Sequence, residues 1–431
     1  MLKLSSIFKV ALLAGSMIAS PAMSSTETNS SSLVNLGHLN HLYELRSLND
    51  GTEAGFIHIY SEYPDYEWVK DPLEGTSCVD DVARAAMVYL DNYRTNGDDE
   101  SLEKLKTLVN FMLATHNENG YFNNFIYPDN TINTSYKTSV AEANWWTWRG
   151  VWSLAESYPV IKDVDASLAE KMEAVIFSTI DVIYSDFNFE QSVSTEQGVE
   201  VADWLPNQAS DQSSVLLLAL DRAYKINPKP EIERMMRSLA EGIMVMQIND
   251  VESEMYGVLL SWKNLWHGYG NSQAYALLEA GMTLQERDFV KAAFIELDHF
   301  HPYLLEQEHL NWFSVKKEDD KFEFIEKHQF AQIAYAVRPI IYSNIRAYQI
   351  SRDKRYIEQA VEFVMWFFKQ NPAAAEMYDK NTGRGYDGID SKDKYNRNAG
   401  AESTIEALLS IQMIESEPEA KKLLEEKLGN K

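Results

Sequence analysis

Carboxylates stand where several predicted helices begin: Asp80, Asp81, Glu142, Asp203, Asp211, Asp387 and Glu402. Two carboxyl groups flanking a bond between sugars can hydrolyse it. They need to lie about 5–5.5 Å apart for retention of configuration or about 6.5–9.5 Å for inversion, with one protonated and the other ionised. An acid at a helix start also has a structural use, capping free N–H groups and meeting the helix dipole. Adjacent helical residues diverge by about 100°, so Asp80 and Asp81 do not easily serve one point. The pair singled out is Asp81 with Glu142, expected to face each other across neighbouring helices. Glu142 precedes Asn144-Trp145-Trp146, whose rings suit it to be the acid. Asp81 follows Thr76 and Ser77 at a helix start, which suits it to be base or nucleophile. Asp80 and Asp211 are the further catalytic candidates.

Six of the ten Trp fall in the same loop segments as these acids. An indole face stacks on the C–H face of a sugar ring, while amides, acids and Arg bind its hydroxyls. The expected lining is Asn144, Trp145, Trp146, Trp148, Arg149, Asp203, Trp204, Trp266, His267, Tyr269, Asn271, Tyr386, Asp387 and Glu402. At least two of the Trp are expected in the cleft, the others sealing the core. A second chemistry fits the same residues: a lyase abstracts the proton α to a uronate carboxylate, with His267 or Tyr269 as base and Asn144 or Arg149 neutralising the carboxylate. A non-catalytic glycan-binding cleft is the third reading. No HExxH, EF-hand register, Walker sequence or GxGxxG after a strand is present, so no metal and no cofactor are expected.

The elements that must hold these residues are helices. After a Ser/Thr/Asn-rich stretch, helical periodicity covers 33–48, 78–93, 101–115, 139–158, 166–184, 208–225, 230–247, 271–284, 287–299, 328–350, 354–369 and 399–414. Short turns follow the first member of each pair and long loops the second, which forces antiparallel hairpins. Six such hairpins, with 399–414 pairing with 33–48, predict an all-α (α/α)6 toroid spanning 33–431. Parallel inner helices would gather their N-termini and the long loops on one face.

The net charge of −26 excludes a broad basic face for nucleic acid or an anionic membrane. Residues 1–24 read as a signal peptide: Lys3 and Lys9, an apolar run too short to span a bilayer, then small residues at Ser20, Ala22 and Ser24. Residues 25–32 are expected to be disordered. A periplasmic or secreted monomer is the expectation, and Cys78, alone, is read as a buried small side chain.

With helices and loops laid out, the chain resembles the six-hairpin glycosidase superfamily. Cys78-Val79-Asp80-Asp81-Val82-Ala83-Arg84-Ala85 is similar to a Cys-Thr-Asp-Asp-Asn-Ala-Arg-Ala stretch of an all-α toroidal domain found beside bacterial glycosyltransferases and mannoside phosphorylases. Tyr386-Asp387-Gly388-Ile389 and Asn398-Ala399-Gly400-Ala401-Glu402-Ser403-Thr404 resemble its ending. Val79 and Val82 stand where that domain has Thr and Asn. The resemblance implies the toroid, a carbohydrate context, and importance for Asp80, Asp81, Arg84, Asp387 and Glu402. Together these readings predict an exported enzyme acting on a poly- or oligosaccharide, a glycoside hydrolase first and a uronate lyase second.

Overall fold

The computed structural model describes residues 32–429. Residues 1–24, read from the sequence as a signal peptide, and residues 25–31 lie outside the described residues; Ser32 donates its hydroxyl hydrogen to Glu415 at 2.5 Å. No described helix is long and apolar enough to cross a membrane.

Six inner helices run Val79–Asn96, Trp145–Val164, Ser210–Ile226, Gln273–Leu284, Arg338–Ser351 and Ala401–Ser416. Their outer partners are Asp99–Thr115, Ala166–Asp186, Pro230–Val245, Arg287–Ile295, Arg355–Val364 and Pro418–Gly429. Each inner helix packs on the next and the sixth on the first, so the chain is an all-α (α/α)6 toroid. The residue types follow the layer. The first inner helix is buried without a break from Val82 to Leu90, with Ala83, Ala85 and Ala86 allowing neighbours to approach. The outer helix Pro230–Val245 buries one stripe, Ile232, Met235, Met236, Leu239, Ala240 and Ile243. Asp98 and Asp165 cap the helices after two of the tight turns, each accepting a backbone N–H.

Three expectations are corrected. Residues 33–48 form only a short helix, Gly37–Leu42, and then a strand, Tyr43–Ser47, paired with Glu53–Ile57. The Asn49-Asp50-Gly51 turn between them, with Gly51 at φ +86°, is a hairpin signal that outweighs the apolar spacing. The sixth hairpin is therefore closed by Pro418–Gly429. The second inner helix begins at Trp145 rather than 139, because Asn144 caps it and Ser139 instead anchors the preceding loop through Asn133 and Phe125. Residues 312–328 form a β-hairpin, Trp312–Glu318 with Lys321–His328, joined by Leu265–His267 as third strand, so the fifth inner helix starts only at Arg338.

Charges fill the middle of the ring. Arg84 pairs with Asp81 at 2.8 Å, with Glu406 at 2.9 Å and with Glu402 at 3.3 Å. Glu406, 0% exposed, also holds Arg338. Towards the other end of the inner helices, Arg222 joins Glu156, Asp221 and Glu279. Removing one member of such a set leaves its partner buried and uncompensated. Glu406→Gln should thus cost about 3–5 kcal/mol of stability by denaturant unfolding; an unchanged midpoint would show the axis to be wetter than described. Glu296 has the opposite surroundings. It is buried in the π-helical turn Glu296–Phe300, accepts only the Leu259 N–H, at 3.0 Å, among the described residues, and burial pushes its carboxyl up to about 8. The unfolded chain releases this proton near 4.5, so stability should fall as pH rises from there to about 8. Melting curves across that window should flatten in Glu296→Gln.

Candidate functional site

The N-terminal ends of the inner helices surround a cavity of about 750 Å³. Of the sequence candidates it is lined by Asp80, Trp145, Trp146, Arg149, Asp211, His267, Tyr269 and Glu402. Each is aimed by a local constraint. Asp80 stands one residue into its helix; one oxygen meets Arg149 Nη1 and the other accepts from Asn124 at 3.1 Å. Arg149 also donates to the Tyr335 hydroxyl and lies 4.8 Å from the Trp145 ring centroid. Helices two and five are opposite members of the ring, so this contact crosses the axis and forms a floor. The Tyr335 ring has three guanidinium groups around it, from Arg84, Arg149 and Arg338 at 5.0, 5.3 and 5.9 Å.

The small sheet aims His267. Successive strand residues point to opposite faces. Trp266 turns into the core and stacks on Phe313 at 5.0 Å, while Leu265 and His267 turn to the cavity. His267 Nε2 lies 2.9 Å from Asp211 Oδ2, and the Asp211 Oδ1 accepts the Gln212 N–H at 2.6 Å. Tyr269, partly exposed, stacks on the imidazole at 4.0 Å. The loop can pass this close because residue 270 is Gly at φ +83°; a Cβ there would meet the Trp145 ring at 3.0 Å. Glu402 enters from the sixth helix. Its side chain is 46% exposed, yet the loss of water around its carboxyl pushes it up, Arg84 pulls it down, and Asp81 and Glu406 push it further up. Helices three and six are opposite in the ring, so Asp211 and Glu402 enter from opposite walls.

The expected pairing of Asp81 with Glu142 is not found. Asp81 is buried below the cavity, held by Arg84 and by the Cys78 thiol at 3.2 Å. Burial pushes its carboxyl up, against the expectation that helix-start donors keep it ionised. Glu142 is exposed on the loop before the second inner helix and accepts from Asn144 at 3.0 Å. Arg84 is buried beneath Tyr335. Asn144 is a helix cap, and Trp148, Trp204 and Trp266 are core side chains. Asp203 is tied to Ser194 and Gln208 on its loop. Asn271 bonds the Gly268 carbonyl at 3.4 Å, Asp387 braces Gly400 and Ser403, and Tyr386 packs near Tyr395. The cavity adds Glu74, Asn124, Thr138, Asn207, Gln212, Trp262 and Tyr335. Tyr335 was hidden by reading a helix from 328 onward; its place just ahead of an inner helix is the signal that would have found it. Among the described residues no three His, Cys, Asp or Glu side chains converge to hold a metal ion.

No protein-family model matches the chain, and no curated protein sequence matches it. Solved structures do. A sugar epimerase from a ruminal bacterium matches with TM-score 0.62 and 13% identity over 88% of this chain and 95% of that one. Cellobiose 2-epimerase from Bacillus thermoamylovorans B4167 matches with TM-score 0.61 and 13% identity over 89% and 96%. A D-mannose isomerase matches with TM-score 0.56 and 12% identity over 84% and 92%. At this identity the likeness is one of fold, the toroid that the resemblance to the six-hairpin superfamily implied.

The Arg149 fork gives a direct test of the floor. Lys keeps the charge but cannot reach Asp80 and Tyr335 from two separate nitrogens. Arg149→Lys is expected to lose about 1–3 kcal/mol of stability in urea unfolding; an unshifted midpoint would mean that the fork contributes nothing.

Proposed function

We propose that the chain is a saccharide-processing enzyme that moves a proton at a sugar carbon next to a carbonyl or carboxylate. The observation that carries this reading is the placement of two unlike proton-carrying groups on opposite walls of one aromatic-lined cavity: the His267–Asp211 pair and Glu402. Epimerising or isomerising a sugar requires a proton to leave one carbon and return to that carbon's other face or to its neighbour. Elimination from a uronate begins with the same step. The similarity to structures named as a sugar epimerase, a cellobiose 2-epimerase and a mannose isomerase supports the reading.

In this mechanism the Asp211 carboxylate, held at 2.9 Å by His267 Nε2, accepts the carbon-bound proton, because the other ring nitrogen of His267 is buried away from the cavity. Negative charge moves onto the substrate oxygen. The Tyr335 hydroxyl, which accepts from Arg149, keeps its own hydrogen to donate to that oxygen, and the cluster of guanidinium groups stabilises the charge. Glu402, with its carboxyl raised by the loss of water around it, returns a proton from the other wall. Trp145 and the exposed Trp262 offer ring faces for stacking, with the buried Trp146 backing the wall. A second reading, hydrolysis, is favoured by the same Glu402 carboxyl, which could protonate a leaving oxygen with Asp80 or Asp211 as the ionised partner. The N-terminal sequence supports export, and we place the reaction outside the cytoplasm on that ground.

Incubating the protein with a panel of mono-, oligo- and polysaccharides in D2O checks the chemistry. Loss of a carbon-bound proton signal is expected; new reducing ends without exchange would move the assignment to hydrolysis. Glu402→Gln and His267→Ala should each slow turnover at least about a hundredfold, roughly 3 kcal/mol, in protein whose circular dichroism stays native, although Glu402→Gln also lowers the melting temperature by removing a partner of Arg84. Because Glu402 acts protonated, activity should fall on the alkaline side as it loses that proton. Near-normal turnover in both variants would refute the assignment.

A further inference from the structure

In so acidic a chain, an arginine without a carboxylate partner is unusual. Arg384 and Arg397 are two such residues, and they lie together. Among the described residues neither side chain makes a hydrogen bond or an ion pair. Each instead stands over a tyrosine: Arg384 is 3.9 Å from the Tyr66 ring centroid and Arg397 is 4.1 Å from that of Tyr63. The Arg384 Nε is buried with its hydrogen unused. Tyr63 and Tyr66 meet edge to face at 6.1 Å, Tyr386 and Tyr395 lie 6.4 Å apart, and all four phenols are close enough to act on the Arg397 charge.

Of the acids nearby, Asp387 and Asp379 are already occupied, and Glu62 is close enough to Asp387 to push its carboxyl up. Asp387 accepts from the Gly400 N–H at 3.1 Å and the Ser403 hydroxyl at 2.8 Å. Asp379 accepts from Thr382 at 2.8 Å and Asn381 at 2.9 Å. Glu62 is exposed on the hairpin beside them.

This patch is continuous with the rim of the cavity. The hairpin Tyr60–Glu62 with Glu67–Val69 is tied to the start of the sixth inner helix by Ala399 N–H to Ser61 at 3.0 Å and Ala401 N–H to Ile59 at 2.9 Å. Tyr63 N–H reaches Asn398 at 3.1 Å. On its other side the Tyr60 hydroxyl donates at 2.6 Å to Glu74, which lines the cavity, and Glu402 follows Ala401 directly.

We propose that Arg384, Arg397 and the surrounding tyrosines bind a carboxylate-bearing sugar unit adjoining the one held in the cavity, so that the substrate is an acidic saccharide. The proposal rests on the saccharide-processing reading. Guanidinium groups that lie over rings without a carboxylate partner leave their terminal N–H groups to meet a carboxylate. Tyrosine faces take the C–H face of the sugar. The protein's overall negative charge does not forbid this, because charges beyond about 8 Å are largely screened at physiological salt.

Affinity electrophoresis of the full chain in gels containing alginate, polygalacturonate, κ-carrageenan or neutral glucomannan tests it. The wild type should be retarded by alginate or polygalacturonate and not by glucomannan. The double variant Arg384→Gln/Arg397→Gln should bind at least about tenfold more weakly, with melting temperature unchanged, and Tyr63→Ala should weaken binding as well. Three results would overturn the proposal: no retardation by either uronate polymer, equal binding by the double variant, or retardation by sulfated carrageenan alone. The two readings fail separately. Uronate binding without turnover of any sugar removes the enzymatic reading and keeps this one, whereas turnover of a neutral sugar without uronate binding removes this one only.

Discussion

A ring of six inner helices has no water on either side of it, and its axis must be filled. Here much of the filling is charged. Arg84 and Arg338 share the fully buried Glu406, and Arg84 also reaches Asp81 and Glu402. Each guanidinium would be costly alone and is tolerated because carboxylates from neighbouring helices meet it. The set locks helices one, five and six in register. It also presents its upper edge, Glu402 and the ring of Tyr335, to the open end of the barrel. The cavity is the place where this buried network emerges into solvent.

That origin explains the character of the site. Its acids are not free carboxylates in a polar cup: Asp80 is tied to Arg149, Asp211 to His267 and Glu402 to Arg84. Polar donors and acceptors fixed in advance need little reorganisation when charge develops on a bound molecule. The aromatic walls come from different sources. Trp145 and Trp146 belong to the first turn of a helix, whereas Trp262 and Tyr269 sit on a loop steered by a three-stranded sheet.

The ring was legible in the sequence because inner helices, covered on all sides, keep apolar and small residues in long runs, as in Leu216-Leu217-Leu218-Ala219-Leu220. The cavity acids at helix starts were legible for the same reason, since helix boundaries can be read from periodicity. What was not legible came from contacts distant in sequence. Asp81 and Asp80 are neighbours with the same local signals, and only Arg84 below and Arg149 above divide them between the network and the cavity. Glu142 was displaced by the Asn144 cap, which starts the helix six residues later than 139, about one and two-thirds turns. The sheet that aims His267 pairs residues far apart along the chain, and its strand Lys321–His328 alternates too briefly to stand out from the long loop between 299 and 328.

The ion pairs on the axis also bear on how the toroid forms. Arg84 meets Glu402 and Glu406 across sequence separations of 318 and 322 residues. Until the last hairpin docks, the first inner helix carries a guanidinium with only Asp81 from its own turn to balance it. A partly assembled ring therefore has reason to keep its axis hydrated, and water is expelled only when helix six arrives. Such long-range closure is slow, because the entropy of a large loop is lost before the contacts reward it. The same residues that shape the floor of the cavity thus make the barrel condense late and as a whole, with few half-closed forms dry enough to persist.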